Sequence, residues 1–409
     1  TVVFVGQENF VREQETGELE ALLAAGFADE APRFRSMAWE ADTVYQQWRY
    51  TNFGPWERQL EAVEAGTLIV QLGQMEAFDG IDSLPKFEAA YHQLLDRFAT
   101  QTRRLVLVSP MPFEKPLAPR APDLTRRNAD VAAYANAVER IARQRGALYV
   151  DIFTPLSKRG PELERLTRDG IHLTTTGLKV VARLIADELG VAPSVEADFA
   201  DARSAIVRKN QLWFDCWRPA NWSFAYGDRI SQAYGKAAGD EPSLQGSFEE
   251  RRPMVLVSDA RIHALIRGES VAPEAPSGTP IDPAYADQAL SPEQERATFT
   301  VAEGYAVNLF ADESDGVANP VQFAWDETGR LYVACSPAYP QSLASEPPRD
   351  YIVALEDTDG DGRADKSWRY AEGLTMVQGV EPGPGGLYVC DFDQLVFLAD
   401  TDGDDRADT

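Results

Sequence analysis

The segment RDGIHLTTTGLKVVARLIADELG, residues 168–190, places an aspartate and a histidine directly before an amphipathic helix pattern. Two residues separate Asp169 from His172, and an Asp-x-x-His pair beside a sheet can hold an imidazole ready to accept a proton. An imidazole in that role needs a nucleophile or a ligand from another part of the chain. The segment therefore directs attention to the loops that a sheet would bring next to it.

The preceding residues alternate strand patterns with helix patterns. Strands are predicted in VVFVG (2–6), RFRSMAW (33–39), TLIVQLG (67–73), RLVLVSP (104–110) and LYVDIF (148–153), and helices in GELEALLAAGF (17–27), WERQLEAVEAG (56–66), FEAAYHQLLDRFA (87–99) and NADVAAYANAVERIARQRG (128–146). This alternation predicts an α/β fold, with a parallel sheet covered by helices on both faces. Ligands of such sheets bind beyond the carboxyl ends of the strands, so the loops after Gly6, Trp39 and Gly73 are the candidate site.

Acidic residues dominate the charge of the 409-residue chain. It contains 65 Asp and Glu against 39 Lys and Arg, a formal net charge of −26. This field disfavours nucleic acid and anionic membranes and suits calcium or neutral ligands. No apolar run is long enough to insert into a membrane. The three cysteines, Cys216, Cys335 and Cys390, form neither CxxC nor CxxCH, so one disulfide and three free thiols both stay open. The chain lacks an initial Met, and we expect it to begin within a longer sequence.

Four sequence blocks across residues 1–190 resemble, in order and spacing, the SGNH (GDSL-type) hydrolase family. The resemblance implies a flavodoxin-like three-layer α/β/α sandwich, with a nucleophilic Ser in a Gly-Asp-Ser turn after the first strand. It also implies oxyanion donors from a Gly and an Asn in the next two loops, and an Asp-x-x-His block. That last block is intact as Asp169-Gly170-Ile171-His172, so the resemblance implies catalytic positions at Asp169 and His172.

The other three blocks depart from the family pattern. VGQENF places Glu8 at the nucleophile position, where the usual acyl-enzyme cannot form. SMAWEADTVY places Ala41 at the oxyanion Gly, which preserves the backbone N–H. LGQMEAF places Met75 at the oxyanion Asn, beside Glu76, and the loss of one such donor typically costs ~100- to 1000-fold in rate. The blocks therefore predict the fold but not the standard Ser-dependent ester hydrolysis.

Three interpretations of the site stay open. In the first, Asp169 and His172 only bond their own loop together. In the second, the site is an active carbohydrate esterase with a non-standard nucleophile: Ser36, Thr43, or water activated by Glu8 and His172. In the third, the site binds a cation or a sugar without turnover. The side chains expected around that pocket are Glu8, Glu76, Asp169 and His172.

An aromatic cluster marks residues 193–267, which otherwise read as a helical extension. In NQLWFDCWRPANWSF, Trp213 and Trp217 lie one helical turn apart and share a face. The rings either attach this helix to the sandwich or form a platform for a sugar ring. In the second case Trp217, Arg218 and Asn221 would contribute to the binding pocket, since Pro219 should end the helix near Arg218.

The last third of the chain has a different pattern. Residues 268–297 form a Pro- and Gly-rich linker and a short helix with Ser291 as N-cap. Short strand patterns with internal repeats follow in residues 298–409. GRLYVAC is echoed by GGLYVCD, and LEDTDGDGRAD by LADTDGDDRAD 43 residues later. The second spacing is typical of propeller blades, so a partial all-β propeller is predicted.

The repeated acidic loops have the spacing of calcium ligands. In DTDGDGRAD, carboxylates stand at positions 1, 3, 5 and 9, Gly362 at position 6 permits a sharp turn, and position 7 offers a backbone carbonyl. The second loop has Asp405 in place of that Gly. The predicted calcium ligands are Asp357, Asp359, Asp361, Arg363 and Asp365 in the first loop, and Asp400, Asp402, Asp404 and Asp408 in the second.

NPVQFAWDETGRLYVACSPAYPQ and the two DTDGD loops resemble the start of glucose/sorbosone-dehydrogenase-like propellers. This resemblance implies a large secreted bacterial protein with further blades, helical repeats, a c-type haem domain and a quinone cofactor, and hence an extracytoplasmic location. The leading hypothesis is a carbohydrate-related binding domain of SGNH fold, attached to a calcium-binding propeller. An active carbohydrate esterase and a purely structural spacer are the alternatives.

Overall fold

The computed structural model describes residues 1–47, 54–116, 122–160, 164–193, 199–217, 244–272, 290–339, 342 and 346–408, with side chains omitted for 244–251. The chain divides into two compact units. The first comprises Thr1–Arg218 and Phe248–Glu274, and the second Pro219–Ser247 and Ala275–Thr409.

A five-stranded parallel sheet forms the centre of the first unit. Its strands are β1 (Val2–Gly6), β2 (Phe34–Ser36), β3 (Thr67–Gln71), β4 (Arg104–Val108) and β5 (Leu148–Val150), in the order β2-β1-β3-β4-β5. All five predicted strands are present, with several ending earlier than their apolar runs. The order places the carboxyl ends of β1 and β3 side by side, which brings together the loops after Gly6 and Gln71.

Helices cover both faces of this sheet. They are α1 (Glu8–Thr16), α2 (Glu18–Gly26), α3 (Trp56–Ala62), α4 (Leu84–Ala99), α5 (Asn128–Arg145), α6 (Phe153–Ser157) and α7 (Thr175–Glu188). Alternate strand residues point to opposite faces: Val3 and Val5 enter one apolar cluster, while Phe4 enters the other. The predicted α/β sandwich is therefore confirmed. The helix α1 was missed because Gly17, at φ +65°, ends it and begins α2 within one residue.

Two further helices are α8 (Ala200–Trp217) and α9 (Leu244–Ile266); α8, and α9 from Phe248 onward, belong to the same unit. Side chains of both helices donate hydrogen bonds to backbone carbonyls along the free edge of β2. The carbonyls of Pro32, Phe34 and Ser36 accept hydrogen bonds from His263, Lys209 and Trp213, at 2.9, 3.2 and 2.7 Å. Alternate carbonyls of an edge strand point away from the sheet, so these bonds block its extension by another strand.

Two antiparallel sheets build the described part of the second unit. The first sheet contains β6 (Pro320–Trp325), β7 (Leu331–Cys335), β8 (Asp350–Glu356) and β9 (Lys366–Leu374), in that order. The second sheet contains β10 (Val377–Gly383), β11 (Gly386–Asp391) and β12 (Gln394–Ala399). Before them, Ser291 caps α10 (Pro292–Arg296) as predicted, with a capping box to Gln294. The sheets agree with the predicted strand pattern, and the propeller itself stays a prediction.

No helix in the described ranges has the length and apolarity needed to cross a membrane.

Candidate functional site

Asp169 and His172 form a hydrogen-bonded pair in the loop before α7. The ring Nδ1 of His172 lies 2.6 Å from Oδ2 of Asp169. The other carboxylate oxygen accepts the backbone N–H groups of Ile171 and His172, at 3.0 and 2.8 Å. No described residue hydrogen-bonds to Nε2, and the ring is about one-third exposed. The dyad therefore leaves Nε2 of His172 available to accept a proton.

Hydrogen bonds favour the ionised form of Asp169. Partial burial opposes ionisation, but the bonds from the His172 backbone and ring and from the Ile171 backbone outweigh it. They hold the pKa of Asp169 below its usual value. A carboxylate in this state fixes the imidazole orientation and would stabilise an imidazolium.

Glu114 secures the loop that carries the dyad. Its carboxylate accepts the backbone N–H of Thr167 at 2.9 Å and the hydroxyl of Thr167 at 2.6 Å. Its own backbone N–H donates to the carbonyl of Gly170 at 3.0 Å. Glu114 was not predicted as a site residue, although its position six residues after the end of β4 places it among the loops at the carboxyl edge.

The position that corresponds to the nucleophilic Ser of the SGNH family lies in the first turn of α1. Glu8 lies there, partly exposed, and Gln7 is the N-cap residue. Gln7 is buried, and its amide donates to the Asp42 carbonyl at 2.6 Å and to the Glu76 carboxylate at 3.3 Å. A carboxylate is favoured at a helix N-terminus, which accounts for a stable Glu8 there but not for an acyl-forming nucleophile.

Ala41 has the backbone conformation of a glycine. Its φ is +60°, and its N–H has no hydrogen-bond partner within the described residues. The resemblance has Gly at this position, and Gly adopts a left-handed conformation without steric cost. The free N–H is compatible with an oxyanion donor.

We expect Ala41→Gly to raise the free energy of unfolding by about 0.5–1 kcal/mol, because Gly adopts this conformation without the steric cost that Ala pays. Urea denaturation would measure the change. The matched control is Ala89→Gly in α4, an exposed helical position where about 1 kcal/mol should be lost. A loss of stability in both variants would contradict the strained position of Ala41.

Met75 and Glu76 differ in what they offer the pocket. Met75 is 41% exposed and supplies no N–H donor from its side chain. Glu76 is only 2% exposed, and its carboxylate accepts bonds from the backbones of Val44 and Gly73, at 2.7 and 2.9 Å. Burial raises the pKa of Glu76, although these bonds counteract the effect. The expectation that Glu76 lines an open pocket is therefore corrected: its carboxylate joins the two loops.

Ser36 does not fit the role of a relocated nucleophile. It is buried, and its hydroxyl donates to the Phe10 carbonyl and accepts the Ala38 N–H, both at 3.4 Å. Thr43 is partly buried, and its hydroxyl accepts the Gln46 N–H at 3.2 Å. Ser36, Thr43 and water were the three candidate nucleophiles. Water is the one that could attack without a rearrangement of these hydrogen bonds.

Within the described residues, the expected pocket side chains are not among the clusters of close metal-ligating groups. Within the described ranges, the groups of three or more carboxylate, imidazole or thiol ligands that lie within 4.8 Å of one another are both in the acidic loops of the second unit. The cation site expected from Glu8, Glu76, Asp169 and His172 stays a prediction; the carboxylates of Glu76 and Asp169 already accept the hydrogen bonds described above.

The tryptophans of α8 belong to the apolar core. Trp217 is 7% exposed and packs against Trp39 and Trp213, with ring centroids 5.8 and 6.2 Å away. Trp213 donates its indole N–H to the Ser36 carbonyl. The sugar-platform expectation for Trp217 is corrected, since its face is covered by these rings. Arg218 and Asn221 lie outside the described residues.

The acidic loops of the second unit each bring three carboxylates together. These are Asp357, Asp359 and Asp361 after β8, and Asp400, Asp402 and Asp408 after β12. Gly362 and Asp405 both have positive φ, +87° and +66°, as expected for position 6. Two predicted ligands, Asp404 and Asp365, lie outside these groups. The Asp365 carboxylate accepts the backbone N–H and hydroxyl of Thr358, as Asp408 does from Thr401.

Two family models match separate parts of the chain. Residues 12–180 match the model of the GDSL-like Lipase/Acylhydrolase family, and residues 291–409 match a domain of unknown function, DUF7133. The first match begins after the Gly6–Glu8 block and includes the other three blocks. The chain therefore carries a GDSL-like lipase/acylhydrolase domain followed by a DUF7133 domain. No curated protein matches the chain.

Several solved structures are similar to the first half. An alpha/beta hydrolase from the metagenome of Lake Arreo, Spain, is 18% identical, with 47% of this chain and 96% of that chain covered and a TM-score of 0.37. A catalytic mutant of an acetylxylan esterase from Geobacillus stearothermophilus is 18% identical, with the same coverage and a TM-score of 0.38. Another acetyl xylan esterase is 17% identical, covers 46% of this chain and 97% of its own, and has a TM-score of 0.36.

Proposed function

We propose that the GDSL-like domain hydrolyses carboxylic esters by attack of a water molecule that the His172–Asp169 dyad activates. The carrying observation is the 2.6 Å bond between His172 Nδ1 and Asp169 Oδ2, with Nε2 left without a described partner. The family match over residues 12–180 supports ester chemistry. Ester hydrolysis requires a histidine that a carboxylate holds in a fixed orientation. A loop with a purely structural role does not require this arrangement.

In the proposed step, His172 Nε2 takes a proton from water while the water oxygen attacks the ester carbonyl carbon. Asp169 stabilises the imidazolium that results, and the N–H of Ala41 donates to the oxyanion. The tetrahedral intermediate then breaks its bond to the alkoxide, which takes the proton back from His172. The products are one acid and one alcohol, and no acyl-enzyme forms.

Glu8 has a supporting part in this proposal. It occupies the first turn of α1, beside the loops at the carboxyl edge of the sheet, and its carboxylate can orient the attacking water. Because Met75 provides no oxyanion donor, the reaction should be slower than a complete site allows, by ~100- to 1000-fold.

The proposed substrate class is an acetylated carbohydrate. The test is hydrolysis of p-nitrophenyl acetate and of acetylated xylo-oligosaccharides by the full chain, compared with His172→Ala. Release of acetate that depends on His172 is the expected result. Equal release by both proteins would overturn the proposal.

A sugar-binding domain without turnover is the second candidate, and the replacement of both the nucleophile and the oxyanion Asn favours it. Isothermal titration of the full chain with unacetylated and acetylated xylo-oligosaccharides distinguishes the two. Binding together with stable acetyl groups over the course of the titration would favour this candidate.

For the second unit we propose calcium binding at the acidic loops, within the propeller-type arrangement that the sequence repeat predicts. Three convergent carboxylates and a turn at position 6 suit a hard cation that takes oxygen ligands. A bound ion would neutralise the carboxylates of the loop between β8 and β9. An extracytoplasmic location, also a proposal, would expose the loops to millimolar calcium.

We expect calcium to raise the melting temperature of the full chain by several degrees, since a ligand at 100 times its Kd stabilises the folded state by about 2.7 kcal/mol. Asp359→Asn should reduce the shift. The control Asp393→Asn removes one exposed acidic charge from the β11–β12 turn, outside both loops, and should leave the shift intact. Equal shifts in all three proteins would count against these ligands.

A further inference from the structure

The loop that follows β2, residues 37–44, carries Ala41, whose N–H is the proposed oxyanion donor. The inner side of this loop is bonded to the sheet. The backbone N–H groups of Met37 and Trp39 donate to two carbonyls of β1, at 2.8 and 3.1 Å. The first half of the loop therefore continues along β1 beyond the end of β2.

The outer side of the loop borders the free edge of the sheet. The strand β2 is the terminal strand of its sheet, and no strand in the described ranges pairs with it on that side. Helix α8 contributes the contact there: Trp213 donates its indole N–H to the Ser36 carbonyl at 2.7 Å, at the residue where β2 ends. A side chain of α8 thus fixes the point at which the chain leaves β2 and enters the loop.

Three tryptophan rings form a second connection between α8 and the loop, and we call them the tryptophan row. Trp39, two residues before Ala41, contacts Trp217 edge to face, with ring centroids 5.8 Å apart and planes at 75°. Trp217 in turn stacks on Trp213, at 6.2 Å and 6°. Aromatic pairs at these separations attract each other beyond the effect of the apolar area that they bury. The row therefore holds the loop close to the residue whose N–H is to act.

Helix α8 is itself anchored to the rest of the first unit. The ammonium of Lys209 lies 2.7 Å from the Glu20 carboxylate of α2 and 3.2 Å from the Phe34 carbonyl of β2. The side-chain amide of Asn210 donates to the Gln14 carbonyl of α1 at 3.2 Å. These contacts lie about one helical turn before the tryptophans, so the part of α8 that carries them is a fixed support for the loop.

We infer that Trp213 is a positioning residue for ester hydrolysis, which acts through the loop of residues 37–44 on the N–H of Ala41. This role rests on the proposed function. An oxyanion donor is effective at ~2.7–3.1 Å from the developing charge, and a displacement of ~1 Å can cost about 100-fold in rate. Because Met75 supplies no side-chain donor, the placement of the Ala41 N–H matters more here than it would beside a second donor.

The first measurement compares Trp213→Phe with the unchanged full chain in the hydrolysis of p-nitrophenyl acetate. Phe keeps a ring beside Trp217 but cannot donate to the Ser36 carbonyl. We expect kcat to fall by about tenfold, a part of the ~100- to 1000-fold that the loss of a whole donor costs, with KM changed by less than about twofold. The matched control is Tyr149→Phe, which removes a hydroxyl donor 3.3 Å from the Ala135 carbonyl at the opposite edge of the sheet and should change neither constant.

Backbone hydrogen exchange supplies a readout that does not depend on turnover. In Trp213→Phe the amides of residues 37–44 should exchange about threefold faster or more, while the amides of the central strand β3 keep their rates. Tyr149→Phe should change neither set. A general loss of stability would instead speed up exchange in β3 as well and lower the melting temperature.

A second variant interrupts the tryptophan row from the side of the loop. Trp39→Leu leaves α8 unaltered, and we expect it to lower kcat and speed up exchange of residues 37–44 to a similar extent. Since both changes break the same connection, the double variant with Trp213→Phe should be about as slow as the slower single variant. Losses that multiply in the double variant would mean that the two residues act separately and would contradict the inferred role.

Three further results would overturn it. The first is an equal kcat for Trp213→Phe and the unchanged chain, the second is a loss confined to KM, and the third is equal exchange of residues 37–44 in both proteins. Absence of hydrolysis in every protein, the unchanged chain included, would refute the proposed function instead. The exchange rates would then decide by themselves whether Trp213 holds the loop.

Discussion

His172→Ala is expected to lower ester hydrolysis by about 100-fold or more, because a positioned general base contributes roughly 100- to 10,000-fold. The side chain lies at the surface of its loop with Asp169 as its hydrogen-bond partner, so the fold should survive the change. The measurement is the initial rate with p-nitrophenyl acetate, accompanied by a melting curve. An unchanged rate would remove the dyad from the chemistry.

Two companion variants separate the roles of the neighbouring carboxylates. Asp169→Asn should lose most of the rate because Asn cannot stabilise the imidazolium, whereas Glu8→Gln should lose less, since Gln still orients a water. The pKa of Asp169 is lowered in the folded state, so its carboxylate stays ionised well below neutral pH. Equal rates for Asp169→Asn and the unchanged protein would contradict this role of the Asp169 carboxylate.

The fold was predictable because its signals are local. Each central strand of the first unit is a run of apolar residues. Gly146 is the C-cap that ends α5, and Thr174 is the N-cap that begins α7, and both are common cap residues. The helix α1 was not predicted, and the helix predicted over residues 17–27 corresponds to α2 alone, because Gly17 ends one helix and begins the next within one residue. Turn residues in a sequence do not say whether the chain continues in the same direction.

The site was only partly predictable, because burial and partners are long-range properties. Asp169 and His172 are three residues apart, so their contact follows from spacing. Glu76 looked like a pocket carboxylate, but its partners Val44 and Gln7 are 32 and 69 residues away. Glu114 likewise acts on a loop 53 residues further along the chain. The residue types at the sheet edge can be read from a sequence, but the partners that each side chain contacts cannot.

Lys209→Met is expected to destabilise the protein by about 3–5 kcal/mol, a large fraction of the usual total. Lys209 is 0% exposed, and its ammonium lies 2.7 and 2.8 Å from the two carboxylate oxygens of Glu20. Burial lowers the pKa of Lys209 and raises that of Glu20, while their mutual attraction opposes both shifts. Removing the ammonium leaves a buried carboxylate without its counter-charge and the Phe34 carbonyl without its donor. Urea denaturation at neutral pH would measure the loss.

The pH dependence and a double variant test that cause. Without Lys209 the pKa of Glu20 rises further, and a group whose folded pKa is raised adds stability below its unfolded pKa and loses it as pH increases. The deficit of Lys209→Met should therefore shrink as pH is lowered from 8 to 5, and Glu20→Gln in the same chain should recover most of it at pH 8. The exposed pair of Arg143 and Glu139 is the matched control, where Arg143→Ala should cost about 0.5 kcal/mol or less at either pH. A deficit that is independent of pH and persists in the double variant would mean that Lys209 acts through packing, because only an unpaired charge is relieved by a proton.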